Sequence, residues 1–510
     1  MSDGKTGGSM AATSSRRNFL KKSLAAATAV PLSRGSVTAQ DSERRADGPP
    51  KKKRPNVLIF IADQFRWDFL GANGLNPMGV TPNLDAMARR GICMQNAVTN
   101  QPVCAPSRSC LFTGQYATQT GVWKNGLGLR PDAVTLATVL HSHGYTTNYI
   151  GKWHLADSSE SNPKSYGFVP PEFRGGFKDL WEASNALELT SHPYEGTLWE
   201  GDGTPMNFKG IFRADYLTNL AVRFLKQKHQ DPFLLVVSQL EPHFQNDVNA
   251  FLPPKGSIER YQNPFAPKDL RFFPGDWQAQ LPGYYGDIKS IDESLGTVLK
   301  TLAEENLEDE TIVLFISDHG NHFRTRNWRY KLSPHESSIH IPLVMQGPGL
   351  NQARMVRDLV SMVDVMPTLL DALGIDSPDS VRGHSFLPLI NDRSEAREKW
   401  RNEVFIQISE TMVARALRTD EWTYCVVAPN GNGGRDPGST HYQEYQMYNL
   451  AADPHQLLNL AGRHDPPQLV HFDGDRSLPE VAASLRERLV ARMVEAGETR
   501  PQIDPARFYP

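Results

Sequence analysis

Cysteine is scarce in this chain: 510 residues carry only Cys93, Cys104, Cys110 and Cys425. None has the C-x-x-C spacing of a zinc site, and four are too few for a disulfide scaffold, so any special thiol must be special individually. An excess of one charge is also missing. There are 54 basic and 57 acidic residues for a formal net charge of −3, so no global field attracts a polyanion or a lipid surface, and a nucleic-acid partner is not expected. No stretch approaches the about 18 uninterrupted apolar residues of a spanning helix. The mature protein is therefore expected to work off the membrane once its leader is removed. What is present is ordinary for a folded chain, 39% apolar and 22% charged. At about 100 to 200 residues per domain the length suggests two to four domain-sized units.

The first fifty residues differ from the rest. Ser15-Arg16-Arg17-Asn18-Phe19-Leu20-Lys21 precedes a mildly apolar Ala-rich stretch from Leu24 to Val30, and a polar joint rich in Pro and Lys follows. This resembles a bacterial twin-arginine export signal, so residues 1–48 are read as signal and linker and the protein as periplasmic or secreted. Lys51 to Arg54 is a short, isolated basic run, read as a solvated linker.

From Asn56 the texture becomes regular. Val57-Leu58-Ile59-Phe60-Ile61 reads as a buried parallel strand ending in Asp63. Thr81-Pro82 opens a helix carrying Leu84, Met87 and Ala88 that closes near Gly91. A second helix is expected from about Asp132 to Gly144, followed by an extended Tyr145 to Ile150. The longest helical pattern carries Tyr284, Ile288, Ile291, Leu295, Val298 and Leu302, and leads into the strand Ile312 to Ile316. Such alternation predicts an α/β fold with a central, mainly parallel sheet covered by helices, over 49–392. After about Asp392 the runs shorten (Val404 to Ile408, Ala414 to Leu417, Trp422 to Val427, Gln446 to Leu450), with a helix near Val481 to Glu495. A smaller antiparallel C-terminal subdomain, 393–510, is expected.

Two distant strands end in polar signatures, Ala62-Asp63-Gln64 and Ser317-Asp318-His319-Gly320. Open parallel sheets align such ends along one binding edge. Converged, Asp63 and Asp318 would offer anionic oxygens to a hard divalent cation, Gln64 a neutral oxygen and His319 a nitrogen. Taken singly, each aspartate would merely cap a turn. Between them lies Pro102-Val103-Cys104-Ala105-Pro106-Ser107-Arg108, then Ser109-Cys110-Leu111-Phe112-Thr113-Gly114. Pro106 suits a helix first turn, which would put Cys104 just outside a helix N-terminus where amides favour negative oxygen, with Arg108 adding charge. Read as an ordinary residue, Cys104 is a core thiol, a disulfide partner of Cys110 or Cys93, or a nucleophile of lowered pKa. The spacing to Arg108 is too short for a cysteine-dependent phosphatase loop.

Thr81-Pro82-Asn83-Leu84-Asp85, Cys104-Ala105-Pro106-Ser107-Arg108 and Leu111-Phe112-Thr113-Gly114 together resemble the type I sulfatases of the alkaline phosphatase superfamily. In the family's order they are joined by Asp63, Gly151-Lys152-Trp153-His154-Leu155, Glu241-Pro242-His243, Ser317-Asp318-His319-Gly320, Lys331, and Met447-Tyr448-Asn449-Leu450 with Asp453-Pro454. The resemblance covers nearly everything after the leader.

It implies that Cys104 is oxidised by a formylglycine-generating enzyme to Cα-formylglycine. One hydroxyl of the hydrated aldehyde would attack sulfur, and deprotonation of the second would expel sulfate by carbon–oxygen cleavage. It further implies that Asp63, Gln64, modified Cys104, Asp318 and His319 surround a cation, with Asp318 also helping to activate the nucleophile. Arg108 would orient the hydrate, and Lys152, His243 and Lys331 would surround the sulfate oxygens. His154 is the candidate base for breakdown of the intermediate, and His243 or Lys331 the acid for the leaving alcohol. Singly, Lys152 and His154 read as a solvated turn and Lys331 as part of a basic stretch; their joint order favours function. Arg324, Arg326, Arg329, His322, His335 and His340 stay structural.

Gln64 and His319 stand where many sulfatases have aspartate and asparagine. Calcium is the first expectation, and the nitrogen ligand leaves room for manganese or magnesium. The same variations resemble phosphonate monoester and phosphodiester hydrolases that use formylglycine. The reading is thus a sulfuric ester hydrolase acting on a sulfated carbohydrate or small sulfated alcohol. The alternatives are a phosphonate monoester or phosphodiester hydrolase, or a catalytically silent sulfated-glycan binding protein. Specificity is expected in loops such as Glu172 to Asn207 and Phe244 to Gln280.

Overall fold

A computed structural model of the chain describes residues 54–158, 163–391, 394–463 and 477–506. The twin-arginine segment lies outside the described residues. Eleven strands form the large sheet: β1 (Asn56–Ala62), β2 (Ile92–Val98), β3 (Thr146–Lys152), β4 (Trp181–Ser184), β5 (Ser191–His192), β6 (Glu195–Glu200), β7 (Pro205–Lys209), β8 (Phe233–Ser238), β9 (Thr311–Ser317), β10 (His340–Gln346) and β11 (Arg354–Ser361). Their order is β11-β2-β10-β9-β1-β8-β3-β4-β6-β5, with β7 on β6.

The middle of this sheet is parallel. β1 pairs with β9 on one side and β8 on the other, and β8 pairs with β3. β1 is buried along its whole length because both faces are covered. Val57, Ile59 and Ile61 enter one hydrophobic cluster, and Leu58, Phe60 and Ala62 enter the other. Each of the Val, Leu, Ile and Phe side chains contributes about 1.5–3 kcal/mol relative to exposure. The second cluster is closed by the helices α5 (Arg213–Leu225) and α6 (Trp277–Glu304), introduced here with α1 (Pro82–Arg90), α2 (Cys104–Thr113), α3 (Leu136–Ser142) and the one-turn α4 (Leu187–Thr190).

Register positions the chemistry. Ala62 lies opposite Ser317, and Ile61 and Gly151 both lie opposite Ser238. Asp63 and Asp318 therefore leave the sheet side by side, one strand from Lys152. Gly151 permits this approach: its φ is 102°, and a Cβ there would stand 2.0 Å from the Ser238 carbonyl oxygen.

α1 has Pro82 at its start, yet the Thr81 side chain does not cap it. Asp292 of α6 does, accepting from the amides of Asn83 and Leu84 at 3.0 and 2.9 Å. α3 begins at Leu136 rather than near Asp132, because the Thr135 hydroxyl accepts from the Thr138 amide and fixes the first turn there. The stretch 172–207 is not a loop: it holds β4, α4, β5 and β6 and part of β7, an antiparallel extension of the sheet.

The smaller sheet comprises β12 (Glu403–Ile408), β13 (Ala414–Thr419), β14 (Trp422–Val427), β15 (His441–Asn449) and β16 (Gln502–Asp504). Its first four strands are antiparallel and β16 joins parallel to β15. The helix α7 (Leu478–Glu495) buries Leu485, Leu489 and Met493 in the same cluster as Phe405 and Leu417. Among the described residues no helix is long and apolar enough to cross a membrane.

Candidate active site

Asp63, Cys104, Asp318 and His319 are buried and offer one ligand atom each, all within 4.8 Å of one another. The two aspartates are held by one guanidinium. Arg108 donates from Nε to Asp318 Oδ2 and from Nη2 to Asp63 Oδ2, both at 3.1 Å, and from Nη1 to the Lys152 carbonyl and Ser238 Oγ. The Gln64 amide donates to Asp318 Oδ1 at 3.1 Å, tying the two strand ends directly. Ser107 Oγ donates to the Asp318 carbonyl at 2.6 Å and fixes α2 beneath them.

Cys104 is the first residue of α2, not just outside it. The Ala105 amide donates to Asn125 Oδ1 at 3.0 Å and Pro106 has no N–H, so the helix end offers few free donors. Cations supply the positive potential instead. Lys331 Nζ is 2.9 Å from Cys104 Sγ, 3.1 Å from His319 Nε2 and 3.2 Å from His243 Nε2. Lys152 Nζ donates to Asp63 Oδ2 at 2.8 Å. Burial alone would push the Cys104 thiol up, but Lys152, Lys331, His319 and a hydrogen bond from His154 bring it well below its ordinary value. Cys93, Cys110 and Cys425 show the contrast: burial pushes each up to about 12. All four cysteines are free, with no disulfide among them. Negative charge is thus stabilised at position 104 and opposed at the others.

Burial and Cys104 push the Asp63 carboxyl up, while Lys152, His243 and Lys331 outweigh them and hold it below the usual carboxylate range. Burial and Asp63 push Asp318 up. Burial opposes the charge on Lys152, which Asp63, Cys104 and Glu188 keep above its ordinary pKa.

The donor set fits a divalent cation. His319 Nδ1 lies 2.9 Å from the Gly320 carbonyl, so a proton held there would leave Nε2, 3.6 Å from Asp63 and Asp318, to a cation. Burial opposes the charge on this ring, but Asp318 and Cys104 outweigh it and raise its pKa. Among the described residues Gln64 Nε2 is buried without a hydrogen-bond partner, and rotating that amide would present an oxygen. All ten residues singled out from the sequence, Asp63, Gln64, Cys104, Arg108, Lys152, His154, His243, Asp318, His319 and Lys331, are buried or nearly so around this point.

Other residues of the site carry no sequence signal. Glu188 forms an ion pair with Lys152 Nζ at 3.1 Å, Asn125 caps α2, Ser238 holds Arg108, and the Tyr149 hydroxyl donates to the Lys152 carbonyl at 2.6 Å. The histidines set aside are structural: His322 Nε2 meets the Lys331 carbonyl, and His340 meets Glu336 and the Gln95 carbonyl while stacking on Trp67.

A mainly parallel sheet presents paired aspartates, a buried Cys104 and a ring of cations at its carboxyl edge, a group that could hold a metal ion, and this is the class of hydrolase with the alkaline phosphatase fold. The sulfatase family model matches residues 55–375, and a model described as N-sulphoglucosamine sulphohydrolase, C-terminal, matches 325–489. The ulvan-active sulfatase of Formosa agariphila is 30% identical over 446 residues, covering 84% of this chain and 81% of that protein. Arylsulfatase K of Gallus gallus is 27% identical over 480 residues, covering 84% and 83%. A structure solved in work on glycosaminoglycan metabolism by Bacteroides thetaiotaomicron superposes with a TM-score of 0.73 at 22% identity, covering 88% of this chain and 97% of that one. The chain belongs to the sulfatase family.

Proposed function

We propose that this sulfatase releases inorganic sulfate from a sulfated carbohydrate, with residue 104 as a formylglycine nucleophile. The observation that carries the reading is the placement of Lys331 Nζ, His319 and Asp63 around Cys104 Sγ, at 2.9, 3.4 and 3.6 Å. The Sγ stands where a hydroxyl oxygen of the modified residue would be. When converted, position 104 supplies a hydrated aldehyde, whose one hydroxyl attacks sulfur and whose other allows sulfate to leave. A cation, calcium or else manganese or magnesium, would be held by Asp63, Gln64, residue 104, Asp318 and His319 and would supply Lewis-acid polarisation.

The chain's own side chains do the rest. Arg108 fixes both aspartates, and Asp318 accepts a proton from the attacking hydroxyl. Lys152, His243 and Lys331 bind the sulfuryl oxygens in a largely buried site, where preorganised charge counts most. His243 or Lys331 gives a proton to the departing alcohol oxygen, and His154 takes one from the second hydroxyl. The carbohydrate assignment rests on the relationship to the ulvan-active sulfatase. Export through the twin-arginine route, conversion by a formylglycine-generating enzyme and a division of the chain near residue 392 complete the proposal.

Gln64 and His319 favour one second reading, hydrolysis of phosphonate monoesters or phosphodiesters. The chain co-expressed with a formylglycine-generating enzyme should show an aldehyde at residue 104 by peptide mass and release sulfate from sulfated oligosaccharides. A thiol retained in active material would refute the nucleophile. Aryl phosphonate cleavage without sulfate release would replace the first reading by the second.

A further inference from the structure

Glu188 lies on the one-turn helix α4, far in sequence from every motif, with 8% of its side chain exposed. Its Oε2 is 3.1 Å from Lys152 Nζ and its Oε1 is 3.8 Å from His154 Nδ1. Side-chain hydrogen bonds hold the backbone of this turn. The Gln245 amide group donates to the Glu188 carbonyl at 2.9 Å, and Ser191 Oγ donates to the Leu187 carbonyl at 2.7 Å. His154 itself has φ 58°, and its amide donates to the Asn185 carbonyl at 2.7 Å, three residues from Glu188. Among the described residues His154 Nδ1 is buried with no hydrogen-bond partner, and Glu188 is the acid paired with it.

We propose that Glu188 is a positioning and specificity-determining residue: it orients Lys152 and His154, and by cancelling one positive charge it suits the pocket to a singly charged sulfate ester over a doubly charged phosphate ester.

The inference rests on the sulfatase reading and deepens it. Lys152 is shared between Asp63 and Glu188, whereas Lys331 has no carboxylate hydrogen-bonded to it among the described residues. Burial would raise the Glu188 carboxyl, but Lys152, His154 and His243 outweigh it and bring it to about 2, so it is charged at any working pH. A sulfate monoester carries one negative charge. A phosphate monoester, with a second pKa of about 6, carries two at pH 8. Specificity is the difference between the two affinities, and one unit of charge next to Lys152 acts more strongly on the dianion.

The test uses the converted, metal-loaded enzyme at pH 8 with 4-nitrophenyl sulfate and 4-nitrophenyl phosphate. Glu188→Gln is expected to lower kcat on the sulfate about 10- to 100-fold with KM changed less. It is also expected to raise the phosphate-to-sulfate ratio of kcat/KM about tenfold. Glu188→Asp, which keeps the charge, is expected to slow the reaction yet hold the wild-type ratio. A thermal melt accompanies each variant, and Glu188→Ser reads the same ratio should Glu188→Gln fail to fold. An unchanged ratio in the neutral variants, or an equal change in Glu188→Asp, would overturn the inference alone. A wild type that cleaves phosphate or phosphonate esters and no sulfate ester would overturn the sulfatase reading and this inference with it.

Discussion

Lys331 Nζ stands 2.9 Å from Cys104 Sγ, closer than any other nitrogen recorded against that atom. A cation fixed there stands against the proposed nucleophile, and in the proposed reaction it also serves the sulfuryl oxygens and is one of two candidate proton donors to the leaving alcohol. Lys331→Ala is expected to reduce kcat/KM on aryl sulfates about 100- to 1000-fold, as when an oxyanion donor is removed. The loss should grow as the leaving phenol becomes more basic; a flat dependence on leaving-group pKa would remove Lys331 from proton donation.

Arg108 holds both aspartates, and its own partners are all buried. Arg108→Met leaves Asp63 and Asp318 side by side without their shared counter-charge, a change expected to cost about 3–5 kcal/mol. Urea denaturation measures it. Added divalent cation should recover part of that loss, because an ion would take over the neutralisation.

Gly151→Ala tests the alignment of β3 and β8. The added Cβ would meet the Ser238 carbonyl oxygen at 2.0 Å on a left-handed backbone. Overpacking and strain together predict a loss of roughly 2–5 kcal/mol. The same variant should lower activity, since Lys152 is the next residue. A protein of wild-type Tm and rate would contradict the register described above.

Acid should weaken the fold through two buried histidines, against an opposing contribution from Asp292, whose carboxyl is raised by burial to about 6. Burial depresses the pKa of His322 to about 3 and that of His335 well below its ordinary value. Between about 6.5 and 3 an unfolded chain protonates these rings and the folded chain does not. The unfolded state therefore binds more protons, and stability present above pH 6.5 is lost as the pH falls, by up to about 1.4 kcal/mol per pH unit for each ring. Urea midpoints at pH 5, 6 and 7 measure the slope, and His322→Gln should reduce it.

The carboxyl-edge cluster could be anticipated because its members sit at strand ends or in a compact motif, and parallel strands deliver their ends to one edge. Asp63 and Asp318 are read from apolar runs that stop at an acid. Glu188 could not be read this way. Its contact with Lys152 depends on the pairing of β3 with β4 and on the turn at Asn185, neither of which leaves a periodic trace. The start of α3 was displaced by a local capping box at Thr135. The strands within 172–207 are short and alternate weakly, so aromatic residues there looked like loop composition.

Cys104 has no exposed surface. A sulfate group is small enough to enter this site, whereas an enzyme converting the thiol as proposed above would have to meet it on a chain that has not yet closed over it. The proposed modification would then belong to the interval between synthesis and folding, and a molecule that folds first would keep its thiol. Two populations, indistinguishable in shape and differing in one oxidation, would then coexist in a preparation, and specific activity would report the timing of biosynthesis rather than the quality of the fold.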